Sequence, residues 1–377
     1  MESTVQVTRS VDQDHQGFVF THPSIVGQFA PLQWLVNLRA CPAPHLSRTP
    51  MAVFTEVTPH DAQTLLNALN LGELVDLRGI AGGIENTNYF LTSARDGVEQ
   101  AWVLTLFERL THAQLPFYLG LMHHLAVNGV SVPDPVTDAR GNNLHTVCGR
   151  PAALVNKLSG ASQLDPNAKH CAQMGQTLAR MHLAARDYAA EQPNLRGLGW
   201  WQSVTPDIVP HIAAPQAQLL TSELAYQAHV HESSAYAALP RGPVHADIFR
   251  DNVMFEGDTL TGVFDFYFAG VDTWLFDLAV CINDWCADLD SGVIDPTRLH
   301  ALMAAYESVR PLSGAERQLL NPMLRAAAMR FWTSRLWDFH LPREASMLQP
   351  HDPQRFENVL RERIAHPLNL ESLTPTP

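Results

Sequence analysis

The strongest constraint on this chain is the stretch from His245 to Phe255, with the sequence H-A-D-I-F-R-D-N-V-M-F. Asp247 and Asn252 lie five residues apart in it. A loop of that length can turn back on itself and present the amide oxygen of Asn252 beside the carboxylate of Asp247. An isolated match to H-x-D-x-x-x-x-N arises often by chance, so its meaning depends on the residues that follow.

The residues that follow predict a β-hairpin. Residues 252–256 and 259–266 are short apolar runs on either side of Gly257-Asp258, a dipeptide typical of tight turns. The hairpin would return Asp265 to a position next to Asn252. Because an unpaired carboxylate inside an apolar strand is costly to bury, we expect Asp265 to be a metal ligand together with Asn252.

This combination suits metal-dependent phosphoryl transfer. Such a transfer needs a carboxylate that orients the acceptor hydroxyl, and oxygen ligands for Mg²⁺, which neutralises charge on the phosphates of ATP. Asp247 fits the first role, and Asn252 and Asp265 fit the second. The spacing is that of the kinase catalytic loop H-R-D-x-x-x-x-N, with Ala246 in place of the arginine.

Length and composition indicate a globular protein with room for two lobes. The chain has 377 residues, of which 46% are hydrophobic. No apolar run approaches the length of a membrane span, so no membrane partner is expected. The formal charge of −13 argues against nucleic acid bound through a basic surface. An anionic nucleotide in such a field needs local positive charge or Mg²⁺ at its site.

The cysteines point to a reducing compartment, which predicts a cytoplasmic protein. The chain has five of them, without a C-x-x-C pair or a Cys/His finger. Neither a zinc site nor a disulfide framework is therefore expected. The oligomeric state is not indicated by the sequence.

The N-terminal part of the chain predicts a loose or non-native extension over residues 1–50, followed by a nucleotide-binding lobe over residues 51–158. One hypothesis is that translation begins at Met51. A capped helix is expected after Thr58, and a second helix at 115–127. Strand-like runs complete a small sheet at 74–80, 89–92, 102–107, 144–147 and 152–158.

A glycine-containing turn in the first hairpin of that lobe is a candidate phosphate-binding element. We expect Gly82, Gly83, Asn86 and Thr87 to contact the nucleotide there, since glycines let backbone amides approach phosphate oxygens. A plain tight turn explains Gly82-Gly83 alone at least as well. The position on the first antiparallel hairpin favours the nucleotide.

The remaining chain predicts a larger, mainly helical C-terminal lobe over residues 159–366 and a flexible tail over 367–377. His182 lies in the first of its helices and is expected to be a packed or capped histidine. The helices are expected at 166–188, 215–239, 274–288, 296–309, 314–339 and 352–364. The predicted fold class is therefore α+β, with two lobes.

With these elements in place, the chain resembles the aminoglycoside-phosphotransferase and choline-kinase group, which has a bilobal protein-kinase-like fold. Within that group it is similar to the homoserine kinases of bacterial threonine biosynthesis. The resemblance runs from about Met51 to Ile364, and it implies transfer of the ATP γ-phosphate to the side-chain hydroxyl of L-homoserine. It rests on G-G-I-E-N-T-N-Y-F, W-V-L-T-L-F-E, the catalytic loop, V-F-D-F-Y-F-A-G, N-D-W-C and R-F-W-T-S-R-L-W-D.

One departure from the general kinase pattern concerns charge. A strand lysine paired with a helix glutamate usually anchors the nucleotide phosphates. Thr105 stands where that lysine is expected, and the helix at 115–127 contains no acidic residue. We therefore consider Arg250, inside the catalytic loop, as a catalytic residue that neutralises the phosphates. A solvated or salt-bridged Arg250 explains its presence equally well.

Homoserine is a small zwitterion, and each of its ends calls for an ionic partner. Its carboxylate suits a bidentate guanidinium, and its ammonium suits a carboxylate. Arg330, Arg335 and Asp284 are candidates, although arginines and aspartates within helices are more often structural ion pairs.

Two other functions remain open. The first is a kinase for another small hydroxylated amine, such as choline, an aminoglycoside or hydroxylysine. The second is a catalytically dead nucleotide-binding module, which the missing lysine–glutamate pair would permit.

Overall fold

The computed structural model describes residues 55–80, 86–341 and 351–369. These residues all belong to one compact unit. The predictions made for residues 1–50, for Gly82 and Gly83, and for most of the tail lie outside the described residues. No helix in the described ranges is long and apolar enough to cross a bilayer.

The N-terminal lobe contains a five-stranded antiparallel sheet and two helices. Helix α1 (Pro59–Leu69) precedes the sheet, and α2 (Leu115–Val127) follows its third strand. The strands run in the spatial order β1-β2-β3-β5-β4. Their bounds are β1 Glu73–Gly79, β2 Asn86–Arg95, β3 Val98–Phe107, β4 His145–Val147 and β5 Arg150–Asn156.

The two helices of this lobe belong to different hydrophobic cores. Leu66 of α1 packs with Leu91 and Leu104 of the sheet in a small core. Leu119 and Leu121 of α2, by contrast, are buried in the same large core as the C-terminal helices. Helix α2 therefore connects the sheet to the rest of the molecule through apolar packing.

The C-terminal lobe is mainly helical and contains two short sheets. One pairs β7 (Arg241–Val244) with β10 (Gly270–Thr273), and the other has the order β6-β8-β9. The strands of the second sheet are β6 Ala161–Ser162, β8 Val253–Glu256 and β9 Thr259–Val263. The helices are α3 Ala168–Ala184, α4 Leu198–Ile208, α5 Ala214–Glu232, α6 Ser234–Ala237, α7 Trp274–Trp285, α8 Pro296–Val309, α9 Gly314–His340 and α10 Gln354–Ala365.

The predicted α+β fold with two lobes is confirmed, and the differences concern single helices and short strands. The helix expected at 215–239 is two helices, because Ser233 takes an extended conformation (φ −74°, ψ 148°) and its hydroxyl caps α6. Helix α4 was not predicted. Pro206 lies inside it, and a proline weakens any helical pattern.

Candidate active site

The two short sheets of the C-terminal lobe place the predicted catalytic segments side by side. Strand β8 pairs with β9, and the N–H of Phe264 donates to the carbonyl of Asn252 at 3.0 Å. Strand β10 pairs with β7 so that Gly270 lies opposite Val244. The loop 245–252 and the segment 264–270 are thus joined at both ends, and the predicted proximity of Asn252 and Asp265 follows from the backbone alone.

The hairpin differs from the prediction in where its second strand ends. Strand β9 stops at Val263 rather than continuing to residue 266. Asp265 has φ 67° and ψ 58°, which is left-handed, and a 3-10 turn follows it. Asp265 therefore lies at a turn and not in a strand, because a left-handed residue cannot continue the pleat.

The catalytic loop also contains a left-handed residue, next to Asp247. Ala246 has φ 64°, a conformation that costs an alanine roughly 1–3 kcal/mol and persists only where the surroundings impose it. The surroundings here are the carboxylate of Asp277, which accepts the backbone N–H groups of His245 at 2.9 Å and of Ala246 at 2.8 Å. Asp277 thereby fixes the backbone that carries Asp247.

Asp277 is the inner end of a buried polar chain that the sequence did not indicate. His182 contacts its carboxylate through Nε2 at 3.2 Å, and the Nδ1 atom of His182 lies 2.8 Å from the hydroxyl of Tyr306. That hydroxyl accepts from Nε of Arg310, which pairs with Glu316. All five residues are buried, so the loop is held from inside the lobe. An acid within the apolar run of α7 was the only available signal for Asp277.

His245 holds the loop from a second direction. Its Nδ1 accepts the N–H of Asp247 at 3.2 Å, so its Nε2 carries the proton that it donates to the carbonyl of Phe264 at 2.9 Å. Burial lowers the pKa of His245, which agrees with a neutral ring. Both ring nitrogens are occupied by backbone groups, so His245 ties Asp247 to Phe264.

Asn252 is oriented by Asp247. Its amide nitrogen donates to the backbone carbonyl of Asp247 at 2.8 Å and to the Asp247 carboxylate at 3.2 Å. This orientation turns the amide oxygen away from Asp247 and leaves it able to accept a cation. Amide and carboxylate oxygens are the ligands that Mg²⁺ prefers, so Asn252 and Asp265 fit a magnesium ion. Among the described residues, no group of three His, Cys, Asp or Glu side chains could hold a metal.

The carboxyl group of Asp247 has a raised pKa. Burial raises the pKa of its carboxyl to about 6, and the negative charge of Asp251 acts in the same direction. The positive charge of Arg330 opposes the rise. A carboxylate with a pKa near the working pH accepts a proton more readily than one with an ordinary pKa.

Arg250 is committed to the protein rather than to the open side of the loop. Its backbone N–H and its Nε donate to the Asp284 carboxylate at 2.8 and 3.2 Å. Its Nη1 donates to the carbonyl of Leu164 at 2.9 Å, and its Nη2 donates to the carbonyl of Asp284. All three guanidinium nitrogens have protein partners, so this geometry favours the salt-bridged alternative. The contact of Arg250 with the phosphates stays a prediction.

The three residues predicted to bind the substrate differ in how many partners they have. Asp284 is buried and pairs with both Arg250 and Arg355. Arg335 donates to the carbonyl of Asp352 at 3.2 Å. Arg330 is 4% exposed, and its Nε has no hydrogen-bond partner among the described residues. Only this last arginine retains an unused buried donor among the three.

Strands β2 and β3 carry hydroxyl and amide groups where a kinase lysine is expected. Thr105 donates to the side-chain oxygen of Asn88 at 2.8 Å across the β2–β3 pair. The hydroxyl of Thr87 donates to Glu108 at 2.8 Å, inside the lobe. Asn86 begins β2 next to residues that the structure does not describe. The predicted nucleotide contacts of Asn86 and Thr87 stay predictions, and Thr87 is buried.

Comparisons with known proteins agree with this geometry. Residues 76–312 match the model of the phosphotransferase enzyme family. A homoserine kinase of Polaromonas naphthalenivorans (strain CJ2) is 60% identical over 317 residues, covering 84% of this chain and 99% of that protein. A homoserine kinase of Cupriavidus pinatubonensis (strain JMP 134 / LMG 1197) is 56% identical over 319 residues, with coverage of 84% and 97%.

Solved structures share the fold at low sequence identity. The amicoumacin kinase hAmiN, in complex with AMP-PNP, Ca²⁺ and Ami, has a TM-score of 0.62 and 16% identity, covering 84% of this chain and 98% of that one. An aminoglycoside phosphotransferase of Alicyclobacillus acidocaldarius has a TM-score of 0.58 and 16% identity, with coverage of 87% and 98%. The family match, together with relatives of high identity, gives the assignment: this chain belongs to the phosphotransferase enzyme family, and within it to the homoserine kinases.

Proposed function

We propose that this protein transfers the γ-phosphoryl group of ATP to the side-chain hydroxyl of L-homoserine, giving O-phospho-L-homoserine and ADP on the bacterial route to threonine. The observation that carries the proposal is the arrangement of Asp247, Asn252 and Asp265 at the junction of two short sheets. The identity of relatives named homoserine kinase selects the acceptor. A cytoplasmic location accords with this metabolic role.

Each residue has a defined task in a direct transfer. Asp247 accepts the hydroxyl proton of homoserine while the hydroxyl oxygen forms a bond to the γ-phosphorus. The bond from that phosphorus to the bridging oxygen breaks, and ADP leaves. Asn252 and Asp265 would hold Mg²⁺, which offsets the negative charge of the phosphates. Asp277 and His245 keep the backbone of Asp247 in place throughout.

The phosphate charge is not balanced by a strand lysine, because Thr105 occupies that position in β3. Backbone amides of residues 81–85, which lie outside the described residues, and Mg²⁺ are therefore expected to offset more of this charge than in kinases with the lysine. Arg250 contributes indirectly on this view, by fixing the start of the 3-10 turn that leads to Asn252.

The two rival functions are weaker on specific grounds. A kinase for choline or an aminoglycoside calls for free carboxylates in the C-terminal lobe, whereas Asp284 is already paired with two arginines. A dead nucleotide-binding module has no physical need for Asp247, Asn252 and Asp265 together at the junction of the two short sheets.

The test is a coupled assay of ADP release with the full chain, ATP and Mg²⁺, with L-homoserine, choline, hydroxylysine and an aminoglycoside as parallel acceptors. We expect turnover with homoserine to exceed turnover with each of the others. Preferential use of choline, hydroxylysine or the aminoglycoside would replace the proposed acceptor. Binding of ATP without turnover of any alcohol would favour the dead module.

A further inference from the structure

Arg330 occupies a position that an ionic ligand would complete. It is 4% exposed, and its Nε is buried without a hydrogen-bond partner. Within the described part of the chain, the contacts recorded for its guanidinium are two aromatic faces, Phe331 at 3.8 Å and Phe268 at 5.2 Å. An unpaired buried charge is strongly destabilising unless something pairs with it, so this arginine is expected to meet an anion.

Arg330 lies close to the segments that carry Asp247 and Asp265. The ring of Phe331, the next residue of α9, lies 4.4 Å from the ring of Phe249 in the catalytic loop. Phe268 follows Asp265 by three residues, in the turn after the metal-binding position. The guanidinium therefore lies between the loop that carries Asp247 and the segment that carries Asp265.

The charges around Arg330 leave an excess of positive potential beside Asp247. The pKa of Arg330 is lowered to about 10, mainly by burial and in addition by the like charges of Arg196 and Arg335. The opposite charges of Asp247 and Asp338 raise it, so three arginines, Arg330 included, face two carboxylates here. Two further arginines close enough to repel Arg330 make the spot suited to an anion rather than to a cation.

The acceptor substrate supplies such an anion at the right end of the site. L-homoserine carries its carboxylate three carbon atoms from the reacting hydroxyl carbon. We infer that Arg330 binds the α-carboxylate of the acceptor, and that this ion pair makes the enzyme select an amino acid over an amino alcohol. The inference rests on the proposed function for the identity of the acceptor.

Other candidates for this task are already occupied. Asp284 is paired with two arginines, and Arg335 bonds Asp352 and lies over the ring of Phe356 at 4.5 Å. The rings beside Arg330 also keep water away, and an ion pair is stronger where water is excluded. The planar fork of the guanidinium matches a carboxylate with two parallel hydrogen bonds.

The deciding experiment compares two acceptors that differ only in the carboxylate. These are L-homoserine and 3-aminopropan-1-ol, which keeps the hydroxyl, the chain length and the amine. In Arg330→Gln we expect kcat/KM for L-homoserine to fall about 100-fold or more, as for loss of one partner of a buried charge pair. We expect kcat/KM for 3-aminopropan-1-ol and KM for ATP to change by less than about threefold, since neither interaction involves the guanidinium.

Two further variants separate recognition from folding. Arg325→Gln is the matched control, because Arg325 lies on the same helix and pairs with Glu223 away from the loop. We expect it to leave the ratio of the two kcat/KM values unchanged. Arg330→Lys keeps the charge but loses the fork, so we expect a smaller loss on L-homoserine than in Arg330→Gln, with the same insensitivity of the amino alcohol.

The outcomes distinguish this inference from the proposed function. Equal losses on both acceptors, or a raised KM for ATP as the main effect, would overturn the carboxylate role of Arg330. Calorimetric binding of L-2-aminobutyrate, which has both ionic ends but no hydroxyl, gives a second readout. Failure of the unmodified enzyme to phosphorylate L-homoserine would overturn the proposed function. The inference about Arg330 would be overturned as well if the unmodified enzyme bound L-2-aminobutyrate no more tightly than Arg330→Gln does.

Discussion

The two sides of the catalytic loop differ in how their charges are paired. On the inner side, Asp277 is hydrogen-bonded to two backbone amides and to His182, and Arg250 is bonded to Asp284 at several points. On the open side, Asp247 has a raised pKa and Arg330 has a buried donor without a partner. Both sides are largely buried, so burial alone does not distinguish them.

Ligand-binding residues are expected among the buried charges whose set of protein partners is incomplete. A buried charge with a complete set of protein partners stabilises the fold, and removing one partner leaves the other unpaired. A buried charge with an incomplete set is destabilised in the free protein and gains most from a ligand. Sequence position does not separate the two classes, since Arg250 lies nearer to Asp247 in the chain than Arg330 does.

The largest expected effect is on the open side, at Asp247. We expect Asp247→Asn to lower kcat by about 10²–10⁴, since it removes the proton acceptor while leaving a side chain of the same shape. Steady-state ADP release measures kcat, and equilibrium titration with an ATP analogue checks that the nucleotide still binds. Asp251→Asn, which changes an exposed acid of the same loop, is the matched control and should retain most of the activity. Near-normal kcat in Asp247→Asn would remove this residue from the chemistry.

The next effect is on the inner side, at Arg250. We expect Arg250→Gln to lower the free energy of unfolding by about 3 kcal/mol, because it leaves the buried Asp284 with one arginine instead of two. Denaturant titration measures this loss. KM for ATP is expected to change less than about threefold.

The control for Arg250 is Arg317→Gln, which breaks a partly exposed pair with Glu307. Such pairs contribute about 0–1 kcal/mol, so its stability should stay close to that of the unmodified protein. A large rise in KM for ATP in Arg250→Gln, without loss of stability, would restore the role in phosphate binding.

A smaller effect is expected deeper in the polar chain, at Tyr306. Tyr306→Phe removes the hydroxyl that connects Arg310 with His182, and we expect a loss of about 1–3 kcal/mol in unfolding free energy. Thermal and denaturant unfolding measure it. Tyr226→Phe on α5, whose ring lies under Arg325, should change stability by less than about 0.5 kcal/mol. A loss of stability of the same size in both variants would show that the hydrogen bonds of Tyr306 contribute nothing specific to the buried polar chain.

The smallest effect is a shift in the acid limb of the pH profile of kcat/KM. Asp247 must be ionised to accept a proton, so kcat/KM for homoserine should fall as the pH drops through about 6. Because the positive charge of Arg330 lowers the pKa of Asp247, the acid limb in Arg330→Gln should move to higher pH. Measuring kcat/KM over the pH range for both proteins tests this, and Arg325→Gln should leave the limb in place. An unmoved limb in Arg330→Gln would mean that the two groups do not interact.

Much of the architecture could be predicted because its signals are local. Helices α2 and α8 have the predicted bounds, since each contains an apolar period. In addition, α8 begins at a proline, and α2 is followed by Asn-Gly. The β8–β9 hairpin follows from the Gly257-Asp258 turn, and Gly257 has φ +59°. Strands β7 and β10 were missed, because each has only four residues and β7 contains both glycine and proline.

The sequence by itself determined that the segments carrying Asp247, Asn252 and Asp265 lie side by side, because a five-residue loop and a tight turn fix their neighbourhood at short range. Their roles in catalysis and metal binding stay predictions. The tertiary structure decided which charges are available. Asp277 meets the loop from 31 and 32 residues away and Asp284 meets Arg250 from 34 residues away. Such pairings depend on which helix packs behind the loop, and no local period encodes that choice. Among the described residues, the folded chain satisfies Arg250 and leaves the buried Nε of Arg330 without a hydrogen-bond partner, although both arginines are equally charged in the sequence.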